Sequence, residues 1–211
     1  MDIARFRRLP VMGILRGIDE DSVEPIVAAA ISAGLETLEI TMNTEGAPRL
    51  IGRAVKSAGP RLMIGAGTVL NIESMKTALD SGATFIVMPV VIDEVMEYCA
   101  QNVIPVFPGA LTPGEIYRAW NAGATMVKVF PSGAFGPGYF KEVKGPFGNI
   151  ELMACGGVTA GNIADYFRSG AAAVSFGASI FRKEWLAEKA FDKISDEIRK
   201  LVAALPPIGA K

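Results

Sequence analysis

One lysine of this sequence lies where a charge is costly. Lys128 is at the centre of the run MVKVF, between Val127 and Val129. A strand buried on both faces would enclose its side chain, and burial lowers the pKa of an amine, which favours the free base at neutral pH. A free amine can attack a carbonyl group to form a Schiff base. A buried ion pair, or a lysine that reaches past the strand end, would explain the same pattern without any chemistry.

A carboxylate and a guanidinium accompany this lysine. Glu39 lies inside TLEIT, and Arg16 ends the run VMGILR. Glu39 could move protons, while the planar fork of Arg16 could bind a carboxylate or a phosphate, or form a salt bridge to Glu39. With Lys128 as an iminium electron sink, the three groups would suit a retro-aldol reaction through an enamine. Such a reaction requires no metal and no cofactor.

The composition excludes several other chemistries and partners. The chain has no histidine, which removes Ser-His and Cys-His nucleophiles and His-based zinc sites. Lys plus Arg number 21 and Asp plus Glu 22. This balance leaves no excess positive charge to attract nucleic acid or an anionic membrane.

Compartment is predicted from the cysteines and the apolar stretches. Cys99 and Cys155 form no CxxC pair and are expected to be reduced thiols. The N-terminus lacks the apolar run of a signal peptide, and the stretch 171–181 falls short of the ~20 residues that cross a bilayer. We therefore expect a cytoplasmic protein that does not bind membranes.

The elements that would position these groups follow a repeating pattern. Amphipathic segments that end at glycine, such as 22–34 and 72–82, alternate with short apolar runs and are typical of helices. There are eight apolar runs: 11–16, 37–43, 63–69, 85–90, 104–109, 126–132, 152–158 and 173–179. This pattern predicts an α/β fold, a single-domain (β/α)₈ TIM barrel over residues 1–211, rather than the alternative of an open doubly wound sheet. The glycine-rich segment 132–140 is predicted to be a loop.

Glycines follow the last two predicted strands, at the barrel end where ligands bind. The run 152–158 ends in CGGV, and the run 173–179 ends in FGAS. Glycines at both places would let backbone N–H groups approach a phosphate, although tight turns also require glycine. Gly65 and Gly67, before Thr68, either line the site or allow close packing.

Taken in order, these motifs resemble one family. The resemblance covers about the whole chain and rests on ILRG (14–17), LEIT (38–41), IGAGTV (64–69), MP (88–89), FPG (107–109), VKVFPS (127–132), GPF (145–147), CGGV (155–158) and GAS (177–179). The chain is similar to the bacterial 2-keto-3-deoxy-6-phosphogluconate / 4-hydroxy-2-oxoglutarate (KDPG/KHG) aldolases.

The resemblance implies roles for residues of this chain. Lys128 would form the Schiff base and Glu39 would be the general acid/base. The substrate-binding residues would be Arg16, Thr68, Pro89, Phe130, Cys155, Gly156, Gly157, Gly177, Ala178 and Ser179, of which Thr68, Pro89 and Phe130 would line a pyruvate pocket and the last five would hold a phosphate. The substrate would be a phosphorylated sugar acid, cleaved to pyruvate and glyceraldehyde 3-phosphate, and the assembly would be a homotrimer.

Two positions depart from the gluconate-specific members. Asn43 stands where they often have arginine, and Cys155 stands where they have threonine, so the related 6-phosphogalactonate aldolases look closer. The choice between gluconate and galactonate stays open. The sequence also allows two other classes of protein. One is another phosphosugar barrel enzyme, an isomerase or decarboxylase, and the other is a non-catalytic barrel that binds a metabolite or acts as a scaffold.

Overall fold

A barrel of parallel strands surrounded by helices forms the core of the computed structural model, which describes residues 1–207. Within these residues the strands are β1 Val11–Leu15, β2 Thr37–Thr41, β3 Met63–Gly67, β4 Ile86–Val87, β5 Val106–Phe107, β6 Gly109–Ala110, β7 Val127–Val129, β8 Leu152–Cys155 and β9 Ala173–Phe176. The α-helices are α1 Ile3–Arg8, α2 Val23–Ser32, α3 Ala47–Ala58, α4 Ile72–Asp80, α5 Asp93–Gln101, α6 Pro113–Asn121, α7 Pro137–Lys144, α8 Ile163–Arg168, α9 Lys183–Ala187 and α10 Phe191–Ala203. As expected from the sequence, α2 and α4 each end two residues before a glycine with positive φ.

The closure of the barrel depends on one interrupted strand. The strands pair in the order β5-β4-β3-β2-β1-β9-β8-β7-β6, so β5 and β6 are the two edges of the sheet. These edges are consecutive in the chain, separated only by Pro108, which has no N–H to donate. The run 104–109 is therefore one strand in two pieces, and the sheet curves into the (β/α)₈ barrel that the sequence predicted. The open-sheet alternative is wrong.

Large apolar side chains fill the lower half of the barrel. Because side chains alternate along a strand, every second residue points inward, and these inward residues form one cluster. The buried members are Phe6, Met12, Met63, Phe85, Val87, Phe107, Met126, Met153 and Ala173. Phe6 comes from α1 and meets the ring of Phe107 edge-on, so this helix closes the bottom of the barrel. The side chains in the upper half, toward the carboxyl ends of the strands, do not belong to this cluster.

Several strands are shorter than their apolar runs. The runs 85–90 and 126–132 give only the short strands β4 and β7, and each strand stops two residues before a proline, Pro89 or Pro131. The prediction of a loop over 132–140 is partly wrong, because α7 begins at Pro137, a residue that suits a first helical position. No helix within residues 1–207 is long and apolar enough to cross a membrane.

Candidate active site

Lys128 projects into the upper half of the barrel. It lies two residues after Met126 of the interior cluster, on β7 between Gly109 of β6 and Met153 of β8. The side chain is buried, with 7% of its surface exposed. None of the ion pairs within residues 1–207 includes Lys128, so the ion-pair explanation of this lysine is wrong. Its Nζ lies 5.5 Å from the centre of the Phe130 ring at the barrel mouth.

Glu39 is a buried carboxylate with no hydrogen-bond partner. It lies on β2 beside Ile14 of β1 and Gly65 of β3, and it is 1% exposed. Neither Oε1 nor Oε2 accepts a hydrogen bond from any residue in the range 1–207. Burial raises the pKa of Glu39, and the positive charges of Lys128 and Arg16 oppose that rise only in part. An unpaired acid of raised pKa is suited to exchange protons with a ligand rather than to hold the fold together.

Two glycines of β3 make room for neighbouring side chains. A Cβ added at Gly67 would overlap Oε1 of Glu39, and a Cβ added at Gly65 would overlap the ring of Phe85. Close packing therefore accounts for both glycines. At Gly67 the space gained is occupied by the carboxylate of Glu39, which connects this glycine to the candidate site.

Arg16 extends over the mouth of the barrel and contacts Thr68. Its Nη2 donates a hydrogen bond to Oγ1 of Thr68 over 3.2 Å. Arg16 and Glu39, both within the described residues, form no salt bridge with each other. Thr68 has φ of 52°, a left-handed conformation that costs a β-branched residue roughly 1–3 kcal/mol. Such strained residues concentrate at functional sites, and here the strain holds a hydroxyl at the end of β3 next to an arginine.

A large cavity opens above these residues. Its volume is about 810 Å³. Arg16 and Phe130 line one part of it, and the segments 155–157 and 177–179, which follow β8 and β9, line another. The cavity thus brings together eight of the predicted site residues: Arg16, Phe130, Cys155, Gly156, Gly157, Gly177, Ala178 and Ser179.

The turns after β8 and β9 present free backbone N–H groups. Gly156 and Gly157 have φ of 98° and 75°, and the carbonyl of Gly177 accepts bonds from two N–H groups of a single helical turn. Within residues 1–207, the N–H groups of Gly157, Ala178 and Ser179 have no hydrogen-bond partner. Ser179 Oγ donates to the carbonyl of Val158 over 3.1 Å and ties the two turns together. Converging N–H donors of this kind suit an anion.

Cys155 is buried beside the amine of Lys128. It follows Met153 by two residues and so points into the barrel, where it is 3% exposed. Burial raises its thiol pKa, and the nearby charge of Lys128 opposes the rise in part. The thiol therefore stays protonated at neutral pH and is a small apolar wall rather than a nucleophile.

Four predicted site residues are not in the lining of the large cavity: Lys128, Glu39, Thr68 and Pro89. Pro89 lines a smaller one of about 240 Å³ with Gly109 and Ala110, and Phe130 borders both cavities. Asn43 is exposed in the turn after β2 and lines neither cavity. Conversely, Lys183 lines the large cavity although the sequence analysis did not single it out. The sequence feature that could have indicated Lys183 is its position four residues after the GAS motif.

The described residues offer no group of side chains suited to bind a metal ion. Among residues 1–207, no three His, Cys, Asp or Glu side chains are grouped so that they could hold a metal ion. The two cysteines, Cys99 and Cys155, are free thiols, both buried.

Comparisons with known proteins agree with one another. The family model of the KDPG and KHG aldolases matches residues 3–197. A 2-dehydro-3-deoxy-6-phosphogalactonate aldolase of Escherichia coli is 37% identical over 83% of this chain and 86% of its own. A 2-dehydro-3-deoxy-phosphogluconate aldolase of Pseudomonas aeruginosa is 37% identical over 76% of this chain and 71% of its own. A solved structure described as native KDPGal superposes with a TM-score of 0.87 at 34% identity, over 93% of this chain and 94% of the other.

Proposed function

Because the chain belongs to the KDPG and KHG aldolase family and is therefore an aldolase, we propose that it cleaves a 2-dehydro-3-deoxy-6-phospho sugar acid by a class I mechanism. The products are pyruvate and D-glyceraldehyde 3-phosphate. The observation that carries the proposal is the buried, unpaired Lys128 in the same barrel mouth as the unpartnered carboxylate of Glu39. The alternative of a phosphosugar isomerase or decarboxylase is not favoured, because neither reaction requires that pair.

Bond cleavage proceeds through the amine and the acid. Nζ of Lys128 attacks C2 of the substrate to give a carbinolamine, and loss of water then leaves an iminium ion. Glu39, directly or through one water, takes the proton of the C4 hydroxyl. The C3–C4 bond breaks, its electrons pass to the iminium nitrogen, and the aldehyde leaves. Glu39 returns the proton to C3 of the enamine, and water releases pyruvate from Lys128.

The two ends of the substrate are held by different groups. Arg16 binds the C1 carboxylate, and Thr68, Pro89 and Phe130 enclose the pyruvate part. The phosphate binds at the opposite end, on the N–H groups of the two turns that contain Gly156, Gly157, Gly177, Ala178 and Ser179. The free N–H groups of three residues in these turns support this assignment. A bound substrate that lacks the phosphate would leave these donors without that partner.

The configuration at C4 separates the two sugar acids. The relatives include both a galactonate and a gluconate enzyme at 37% identity, and 4-hydroxy-2-oxoglutarate is a third substrate suggested by the family. The small apolar side chain of Cys155 favours the galactonate substrate, since it offers no hydroxyl to the C4 region. Parallel measurement of kcat/KM on the three substrates tests this preference.

We further propose one aldolase domain over residues 1–211, of which 208–211 lie outside the described part, and a cytoplasmic homotrimer. Large apolar side chains that are half exposed, such as Leu70, Val90 and Phe135, support self-association. Light scattering on the purified protein measures the mass.

Trapping the Schiff base tests the mechanism. Borohydride added with pyruvate should reduce the iminium and leave a stable pyruvyl group on Lys128, which peptide mass mapping locates. Lys141 and Lys144, on α7, serve as internal controls because both lie outside the barrel strands. A label on either of them, or no label, would mean that the class I assignment is wrong.

A further inference from the structure

A cation lines the phosphate end of the large cavity. Lys183 is the first residue of α9, and its side chain borders the same cavity as Gly177, Ala178 and Ser179. The cavity extends from Phe130, which lies against Lys128, to this lysine. A substrate bound to Lys128 that extends past Phe130 into this cavity would bring its far end toward Lys183.

Lys183 has no partner that would compete with a ligand. Within residues 1–207, no ion pair or side-chain hydrogen bond includes it. Its neighbour Arg182 is committed elsewhere, since its Nε donates to the carbonyl of Ser179 over 3.4 Å and its guanidinium lies 4.3 Å from the ring centre of Trp185. Arg182 does not line the cavity. Of the two cationic residues among 1–207 that line the cavity, Arg16 and Lys183, only Lys183 follows the turn that contains Gly177, Ala178 and Ser179.

The charges around the cavity favour a cation near a bound dianion. The turn N–H groups carry only partial charges, and Arg16 lies by Thr68. Asp19 also lines the cavity, and hydrogen bonding from the side chain and the backbone N–H of Ser22 lowers the pKa of Asp19, with the charge of Lys189 acting in the same direction. A phosphate at this end would meet the negative charge of Asp19, which the nearby Lys189 offsets only outside the cavity lining, whereas Lys183 lies in that lining.

We propose that Lys183 binds the phosphate of the substrate and determines the preference for phosphorylated over unphosphorylated sugar acids. This inference rests on the proposed aldolase function. The flexible stem of the lysine lets its ammonium group close on the phosphate after the substrate has entered. An ionic hydrogen bond from an exposed side chain is expected to contribute about tenfold to kcat/KM.

The test compares three variants on two substrates. Lys183→Gln should raise KM and lower kcat/KM about tenfold for the phosphorylated sugar acid, with little change for the same acid without phosphate. The loss should shrink in about 0.5 M salt, which screens an exposed pair. Lys183→Arg should restore most of the activity because it keeps the charge. Lys193→Gln is the matched control, since Lys193 lies on α10 in an exposed pair with Glu188 outside the cavity.

Two outcomes would overturn the inference. One is a Lys183→Gln variant whose kcat/KM falls no more than that of Lys193→Gln. The other is an equal fall in kcat/KM on the phosphorylated and the unphosphorylated substrate. Equilibrium binding of inorganic phosphate separates this failure from a failure of the proposed function. If the wild-type protein cleaves neither substrate, the aldolase assignment fails, while about tenfold weaker phosphate binding by Lys183→Gln would still support the role of Lys183 as the anion ligand.

Discussion

Replacing Glu39 with glutamine should separate the proposed catalytic role of this residue from its cost to the stability of the fold. The change keeps the shape of the side chain but removes its ability to accept a proton. We expect kcat to fall by ~10²–10⁴, the range usual for one general acid/base. The same variant should be more stable than the wild type at neutral pH, because a neutral amide is less costly to bury than an unpartnered carboxylate.

The pH dependence of this stability gain follows from the pKa of Glu39. Burial raises that pKa from 4.5, so between 4.5 and the higher folded value the unfolded chain is ionised while the folded chain keeps its proton. Wild-type stability therefore falls as the pH rises through this window, by about 1.4 kcal/mol for each unit of the upward shift. Below the window the two proteins should differ little; above it, Glu39→Gln should be more stable by on the order of 1–3 kcal/mol.

Urea unfolding at several pH values measures the stability, at one fixed protein concentration because an oligomer responds to concentration. Steady-state cleavage and deuterium exchange at C3 of pyruvate measure the chemistry. Glu36→Gln is the matched control: Glu36 lies three residues earlier, before β2, where it pairs with Arg5 at 2.6 Å near the protein surface. It should leave kcat unchanged and cost at most about 1 kcal/mol. A wild-type exchange rate in Glu39→Gln would show that the proton shuttle is misassigned, and an unchanged pH dependence of stability would show that Glu39 carries no ionisation cost.

Three further predictions follow from the site. Gly67→Ala should lower kcat at least tenfold, because its Cβ would displace the Glu39 carboxylate, whereas Gly114→Ala, whose Cβ meets nothing within 4 Å, should leave the rate unchanged; equal rates for the two variants would contradict the packing argument. Lys128→Arg should abolish turnover in the steady-state assay, because a guanidinium stays protonated, and any residual Schiff-base trapping would point to another amine. Prolonged treatment with EDTA should leave kcat unchanged, and activity that falls and then returns with magnesium would contradict the metal-independent mechanism.

Much of the candidate site could be predicted from the sequence. Charges within apolar runs are rare because burial makes them costly, so Lys128 and Glu39 stood out by type and position alone. The two-residue alternation of a strand placed them on inward faces, and the rule that ligands bind at the carboxyl ends of parallel strands placed them in one mouth. The order of eight apolar runs predicted the barrel, because an open sheet of eight parallel strands would leave two edges to protect, whereas a closed sheet leaves none.

Contacts between distant segments were decided by the tertiary structure. The break at Pro108, the left-handed backbone of Thr68 and the room that Gly67 leaves for Glu39 depend on how neighbouring strands meet, which no local pattern encodes. Pro89 lines a second, smaller cavity, and Phe130 borders both cavities. Residue types and spacing thus determined which groups could react, because burial and alternation act locally along the chain. The contacts that each group makes, and the position of Lys183 of α9 in the cavity lining, were decided by barrel closure and loop conformation, because these bring together residues that are far apart in sequence.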